Sequence, residues 1–179
     1  KIKEDDVILI YGGTSGVGSA AIQIAKDIGC RVISTCGSKE KVKHVEAMGA
    51  DHVILHDLNL YSNLKDYLGN DRVNVVFEHI GAKTWNTSMR VLSKGGRIVT
   101  CGATTGADVN INLSHLFFKN LSILGSTMGS VDTFNRVIEK MSSGRYKPII
   151  DKVFDASDVV SAHKYIEERN NIGKVLLKF

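Results

Sequence analysis

The chain has 179 residues, 43% of them apolar and 23% charged, which suits one well-buried soluble domain with an appendage and is too short for two full domains. No apolar stretch is long enough to cross a bilayer, the first residues are too charged for a secretory signal, and a net charge of +4 comes without a long basic stripe, so a cytoplasmic protein with no membrane or nucleic-acid partner is expected. Cys30, Cys36 and Cys101 are odd in number, lack C-x-x-C spacing and lie in or beside apolar strand-like segments, which reads as reduced structural thiols rather than disulfides or metal ligands.

The first element is an apolar strand, Val7 to Ile10, that runs through Tyr11 into the turn Gly12-Gly13-Thr14-Ser15-Gly16-Val17-Gly18. An amphipathic helix follows, with Ala20, Ala21, Ile24, Ala25 and Ile28 on one face, and it stops near Gly29. Strand, glycine turn and helix together make a phosphate cradle: glycine lets the backbone approach a ligand, and the first helical N–H groups point unpaired at an anion, reinforced by the helix dipole. The fingerprint G-x-G-x-x-G fits only imperfectly, because Ser15 stands at its second glycine. The alternative G-x-x-x-G-x-G, on Gly12, Gly16 and Gly18, resembles the short-chain dehydrogenases, and Tyr61 and Lys65 even have the spacing of their catalytic pair. That pair falls in the polar stretch after the third strand, far too early in the chain, and is read as chance.

Further apolar runs are Arg31 to Thr35, His52 to Leu55, Val73 to Phe77, Arg97 to Cys101 and Leu121 to Leu124. Between them, Lys39 to Met48 and Trp85 to Leu92 read as covering helices, the second closed by Lys94-Gly95-Gly96. Alternating strands and helices predict an α/β fold: a Rossmann-like doubly wound parallel sheet of six strands in the order 3-2-1-4-5-6, with the glycine turn at the switch point. A helix over Val131 to Met141 precedes Pro148, the only proline. Pro148 to Phe154 then reads as extended, Asp158 to Arg169 as a helix capped by Ser157 or Asp158, and Lys174 to Phe179 as a closing strand. Two units are expected: a dinucleotide-binding domain over residues 1–144 and a carboxyl-terminal extension over 145–179.

Four segments in order carry a wider resemblance: Gly16 to Lys26, Met48-Gly49-Ala50-Asp51, Gly95-Gly96-Arg97-Ile98-Val99 with Gly102, and Leu124-Gly125-Ser126-Thr127-Met128. With the ending Gly173-Lys174-Val175-Leu176-Leu177, the chain resembles the medium-chain dehydrogenase/reductase superfamily, in its zinc-type alcohol dehydrogenase and quinone oxidoreductase branches. The resemblance implies the carboxyl-terminal, cofactor-binding half of such an enzyme. An amino-terminal catalytic domain, outside this chain, would supply the substrate pocket and, in zinc members, the zinc ligands, and the extension would return toward it. No catalytic or metal-binding residue is therefore expected here.

By the same resemblance, pyrophosphate lies over Ser15, Gly16, Val17 and Gly18, where a side chain larger than alanine at Gly18 would intrude. The end of the second strand carries Cys36 where NAD-binding members place an acid. With that acid missing, Ser38, Lys39 and Lys41 favour a 2′-phosphate, so NADP(H) is preferred over NAD(H). His56 falls near where quinone oxidoreductases often carry a tyrosine beside that phosphate. Ile80 and Gly81, then Cys101, Gly102 and Ala103, then Ser126, Thr127 and Met128 match segments that hold the nicotinamide, largely through backbone groups. Glu78 and His79 read as structural rather than as acid and base. His52 and His56 lie more than about 10 Å apart along a strand and make a poor metal pair.

The function implied is hydride transfer between a nicotinamide and a small alcohol or carbonyl held by the absent domain, by a homodimer or tetramer, with zinc in the intact enzyme but not on this chain. The alternatives are a zinc-free quinone or enone oxidoreductase and a non-enzymatic nucleotide-sensing module. A methyltransferase-like fold would be favoured by an acid after the second strand, where Cys36 sits.

Overall fold

A computed structural model describes residues 1–179. Strand β1 (Val7–Ile10) leads into helix α1 (Gly16–Ile28), followed by β2 (Arg31–Cys36), α2 (Val42–Ala47) and β3 (His52–Leu55). Helix α3 (Leu60–Leu68) returns the chain to β4 (Val73–Glu78), and α4 (Ala82–Val91), β5 (Leu92–Thr100), α5 (Leu113–Phe118) and β6 (Ser122–Gly125) complete one sheet. All its pairings are parallel, in the order β3-β2-β1-β4-β5-β6, as expected from the alternation of elements. The order reverses between β1 and β4, and the loops leaving those two strands diverge to form a crevice.

The apolar run of β1 is continuous because both faces of the sheet are covered. Ile8 and Ile10 pack into one layer with Ile22, Ala25 and Val45, while Leu9 and Tyr11 pack into the other with Leu64, Trp85 and Met89. Each such fully buried aliphatic side chain contributes about 1.5–3 kcal/mol. Cover is incomplete beside α1, where Ile2, Val17, Ile24, Phe77 and Val99 help to line an open apolar trough of about 510 Å³.

Four local expectations differ from the structure. Helix α3 occupies the stretch read as polar; its buried positions Leu60, Leu64 and Leu68 form a stripe one residue wide, a weak periodic signal. Tyr61 lies on it beneath the Arg90 guanidinium, 3.7 Å from the ring centre. Strand β5 begins at Leu92, because pairing jumps from Val73↔Leu92 to Val75↔Arg97 and Ser93 to Gly96 bulge out between. Lys94-Gly95-Gly96 thus forms a bulge, anchored by the Gly95 N–H on the Lys119 carbonyl at 2.7 Å. The six-residue α5, capped by Asn112, had no sequence counterpart and buries no residue fully.

Helix α6 (Val131–Ser142) leads to a separate two-stranded parallel sheet, β7 (Ile150–Asp155) and β8 (Lys174–Lys178), joined through α7 (Val159–Glu167). Asp158 stands at the N-cap of α7 as expected, without a side-chain cap bond; the 3-10 turn before it, Ala156–Asp158, is capped by Asp155, which accepts from the Ser157 N–H at 3.0 Å. The carboxyl-terminal segment folds back on α1. Asp27 of α1 accepts from Tyr146 Oη at 2.7 Å, from Lys140 and from Arg145, and Gln23 exchanges two hydrogen bonds with the backbone of Lys147. No helix is long and apolar enough to cross a membrane.

Candidate functional site

The glycine turn hangs from β2. The Gly12 N–H donates to Thr35 Oγ1 at 3.0 Å and the Gly13 N–H to the Thr35 carbonyl at 2.8 Å. Ser15 caps α1, its Oγ accepting from the Gly18 N–H at 2.9 Å, while its own N–H donates to the Gly12 carbonyl at 2.8 Å. Of the four amides expected over a pyrophosphate, those of Ser15 and Gly18 are therefore engaged, that of Gly16 faces the Gly173 carbonyl through a parallel bridge between Ser15 and Gly173, and that of Val17 finds no partner in the chain. A free N–H group at the start of a 13-residue helix, at the switch point, suits a phosphate. The approach is tighter than the sequence implied. A Cβ at Gly18 would meet the Gly12 carbonyl oxygen far inside contact distance, so even alanine intrudes.

On one side of the crevice lie the residues after β2 and β3. Cys36 is buried and its thiol donates to the Ser38 carbonyl at 3.3 Å; burial pushes its pKa up, so it offers the crevice no charge. The Ser38 hydroxyl engages Glu40, whose carboxyl it holds below the ordinary range, and Lys39 is exposed. Lys41 is not free: its Nζ donates to the carbonyls of Arg169 at 2.6 Å and Asn171 at 3.0 Å. His56 joins this group through its N–H on the Cys36 carbonyl, with its ring 5.8 Å from that of Tyr11. Burial lowers its pKa against the pull of Glu78, favouring the neutral imidazole.

At the other end, the loops after β4, β5 and β6 are brought together. The Ile80 carbonyl accepts from both the N–H and the hydroxyl of Thr105 at 2.7 Å. The Cys101 N–H donates to the Glu78 carbonyl at 3.1 Å, and the Ser126 N–H to the Thr100 carbonyl at 2.9 Å. Ile80, Gly81, Cys101, Gly102, Ala103 and Ser126 thus line adjacent strand ends, with Thr127 and Met128 continuing from Ser126. Gly81, at φ +92°, abuts the Gly106 carbonyl, and Met128 is held at φ +51°, a conformation unusual for a side-chain-bearing residue.

Glu78 organises this wall. Fully buried, its carboxylate accepts from the N–H groups of Ile80 (2.8 Å) and Gly81 (3.1 Å) and from the hydroxyls of Thr84 and Ser88. Ser88 also bonds the Tyr11 hydroxyl at 3.1 Å, and His79 Nε2 lies 2.8 Å from the Tyr11 carbonyl. Burial raises the Tyr11 phenol well above its ordinary pKa. The network ties the loops after β4 and β5 to Tyr11, the residue that enters the glycine turn.

Sequence reading missed the contribution of the carboxyl terminus. A single bridge pairs Ser15 with Gly173, the Gly173 N–H donates to the Thr14 carbonyl at 2.6 Å, and the Lys174 stem lies over Gly16. No local pattern announces these contacts, which join the two ends of the chain. No group of three or more His, Cys, Asp or Glu side chains is placed to hold a metal ion.

A parallel sheet in this order, with a glycine-rich turn and a free helix-terminal amide at its switch point, defines a dinucleotide-binding fold. The family described as zinc-binding dehydrogenase matches residues 16–143, and the chain belongs to it, as part of the medium-chain dehydrogenase/reductase superfamily. It is 30% identical, over 99% of its length and 52% of the relative's, to an acryloyl-coenzyme A reductase of Sulfurisphaera tokodaii. It is 29% identical to a quinone oxidoreductase of Pongo abelii, covering 98% of this chain and 55% of that one. The crystal structure of an NAD-dependent alcohol dehydrogenase superposes with a TM-score of 0.91 at 33% identity, over 99% of this chain and 52% of the other. The chain spans about half the length of the curated relatives it matches, and corresponds to their cofactor-binding half.

Proposed function

We propose that this chain holds the dinucleotide of an NAD(P)-dependent oxidoreductase that moves hydride between the nicotinamide and a small alcohol or carbonyl. The observation that carries the reading is the glycine turn: an unpaired Val17 amide beside a backbone approach that leaves no room for a Cβ at Gly18. When bound, the nicotinamide supplies or accepts the hydride. The chain's own residues orient it, the Val17 amide on phosphate and the loops around Gly81, Gly102 and Ser126 at the other end. Residues 1–144 form the dinucleotide-binding unit and 145–179 its extension, while the substrate pocket, and zinc where the whole enzyme uses it, lie outside this chain. The similarity to quinone oxidoreductases supports a second reading, zinc-free reduction of a quinone or enone.

The finer preference is for NADP(H), since β2 ends without a carboxylate and Ser38, Lys39 and Lys41 surround the place of a 2′-phosphate. One charge-assisted hydrogen bond of about 1.5–3 kcal/mol separates the two cofactors by about 10- to 150-fold. We place the enzyme in the cytoplasm as a homodimer or tetramer with no nucleic-acid or membrane partner, a reading supported by its composition and by the half-exposed Leu124 on edge strand β6. The test is titration of the chain with NADPH and NADH at one salt concentration, followed by nicotinamide fluorescence. Tighter NADPH binding is expected, the difference vanishing in Lys41→Ala. Equal affinities overturn the preference, and binding of neither overturns the dinucleotide reading.

A further inference from the structure

Lys41, the cation best placed for a phosphate at the end of β2, already has partners. Its ammonium is shared between the main-chain carbonyls of Arg169 and Asn171, 128 and 130 residues away in sequence. From there the chain runs to Gly173, whose N–H is bonded to the Thr14 carbonyl of the glycine turn and whose neighbour Lys174 donates to the Ile149 carbonyl. Arg169 to Gly173 therefore crosses from the carboxyl end of β2 to that of β1, spanning the adenosine side of the crevice.

The two ends of this crossing are held differently. Gly173 is buried at φ +85°, and a Cβ there would strike the Ile149 carbonyl, so that end is clamped by backbone on both sides. Asn171 stiffens it further, its Nδ2 donating to the Gly173 carbonyl at 2.9 Å. The Arg169 end is exposed and continues from the last turn of α7, and beyond that helix its tie to the six-stranded domain is one flexible lysine. Arg169 itself, at φ +57°, closes the carboxyl end of α7, its N–H on the Ile166 carbonyl at 2.9 Å and that of Asn170 on the Tyr165 carbonyl at 3.4 Å.

We propose that Arg169 to Gly173 is a strap over the adenosine end of the crevice, latched by Lys41, and that a dinucleotide bearing a 2′-phosphate opens the latch by taking the lysine ammonium for itself. The inference rests on the dinucleotide reading above and adds regulation of that site. A lysine has three donors on a single point charge, and a phosphate offers it charge as well as acceptors, where the carbonyls offer acceptors alone. Selection for the phosphate is then coupled to movement of the strap, whereas a dinucleotide without the phosphate leaves the strap closed.

Hydrogen exchange of peptides covering residues 166–174 tests this in the ligand-free chain and in its NADPH and NADH complexes, with Lys41→Met alongside. Exchange about tenfold faster with NADPH than with NADH is expected, as for a tie of one charge-assisted hydrogen bond. In Lys41→Met the ligand-free strap should already exchange at the faster rate, and the two cofactors should no longer differ. If both dinucleotides bind and the strap exchanges equally in the two complexes, the latch is refuted while the cofactor reading stands. A strap as protected in Lys41→Met as in the wild type also refutes it. Binding of neither dinucleotide by wild type or variant removes the cofactor reading, and the inference with it.

Discussion

Gly18→Ala isolates the closest contact of the glycine turn. The added Cβ would meet the Gly12 carbonyl oxygen and lie 2.8 Å from the Gly12 carbonyl carbon and 3.0 Å from Gly13 Cα. All three are backbone atoms, so no side-chain rotation relieves the overlap, and the turn must move away from α1. Overpacking of this kind costs about 1–3 kcal/mol. Against it stands the better helix propensity of alanine, about 0.5–1 kcal/mol. The net expectation is a loss of about 1–2 kcal/mol, which at this chain length lowers the melting temperature by about 2–8 °C. Gly16→Ala is the control, because its Cβ would meet only the Lys174 Cδ, at 2.5 Å, and that side chain can swing aside. Its stability should stay within about 0.5 kcal/mol of wild type. Calorimetric or fluorescence-monitored melting of the three proteins decides the matter: a Gly18→Ala chain melting at or above the wild-type temperature would show that the turn and helix are not in this contact.

Removing the Glu78 carboxylate strands the N–H groups of Ile80 and Gly81, while the Thr84 and Ser88 hydroxyls fall back on the Gly81 and Thr84 carbonyls at 3.2 and 3.1 Å. At about 1–3 kcal/mol for each unsatisfied buried group, Glu78→Ala should lose about 3 kcal/mol or more in urea unfolding, with Glu78→Gln, which keeps an acceptor, losing less. A loss under about 1 kcal/mol for the alanine variant would contradict the network. Asp27 gives a pH test: hydrogen bonds from Tyr146, then Arg145, hold its pKa down to about 2. Its contribution is present above the unfolded carboxylate pKa and is lost as the pH falls through about 2, so Asp27→Asn should flatten the acid limb of the stability profile below about pH 4. An acid limb of unchanged slope would remove Asp27 as the anchor of the carboxyl-terminal segment.

The strand β1, the glycine turn and α1 were readable because each signal is local: an apolar run, Ser15 at the cap, and Gly29 at φ +93° just past the last turn. Six apolar runs at regular spacing sufficed for the sheet order, since right-handed crossovers leave few alternatives. Helix α3 escaped because a stripe of three leucines in a polar segment is a faint periodicity, and the β5 bulge because it depends on which residues β4 offers for pairing.

What the sequence by itself determined is therefore the six strands, the helices with a clear apolar face and the place of the glycine turn, all of which follow from residues within a few positions of one another. Only the tertiary structure decided which amide of that turn remains free, that Glu78 is buried among donors, and that Lys41 is already held by Arg169 and Asn171. The physical reason is separation along the chain. Hydrogen bonds between residues some 130 positions apart exist only once the whole fold has brought β2 and the carboxyl terminus side by side, and no local pattern encodes them.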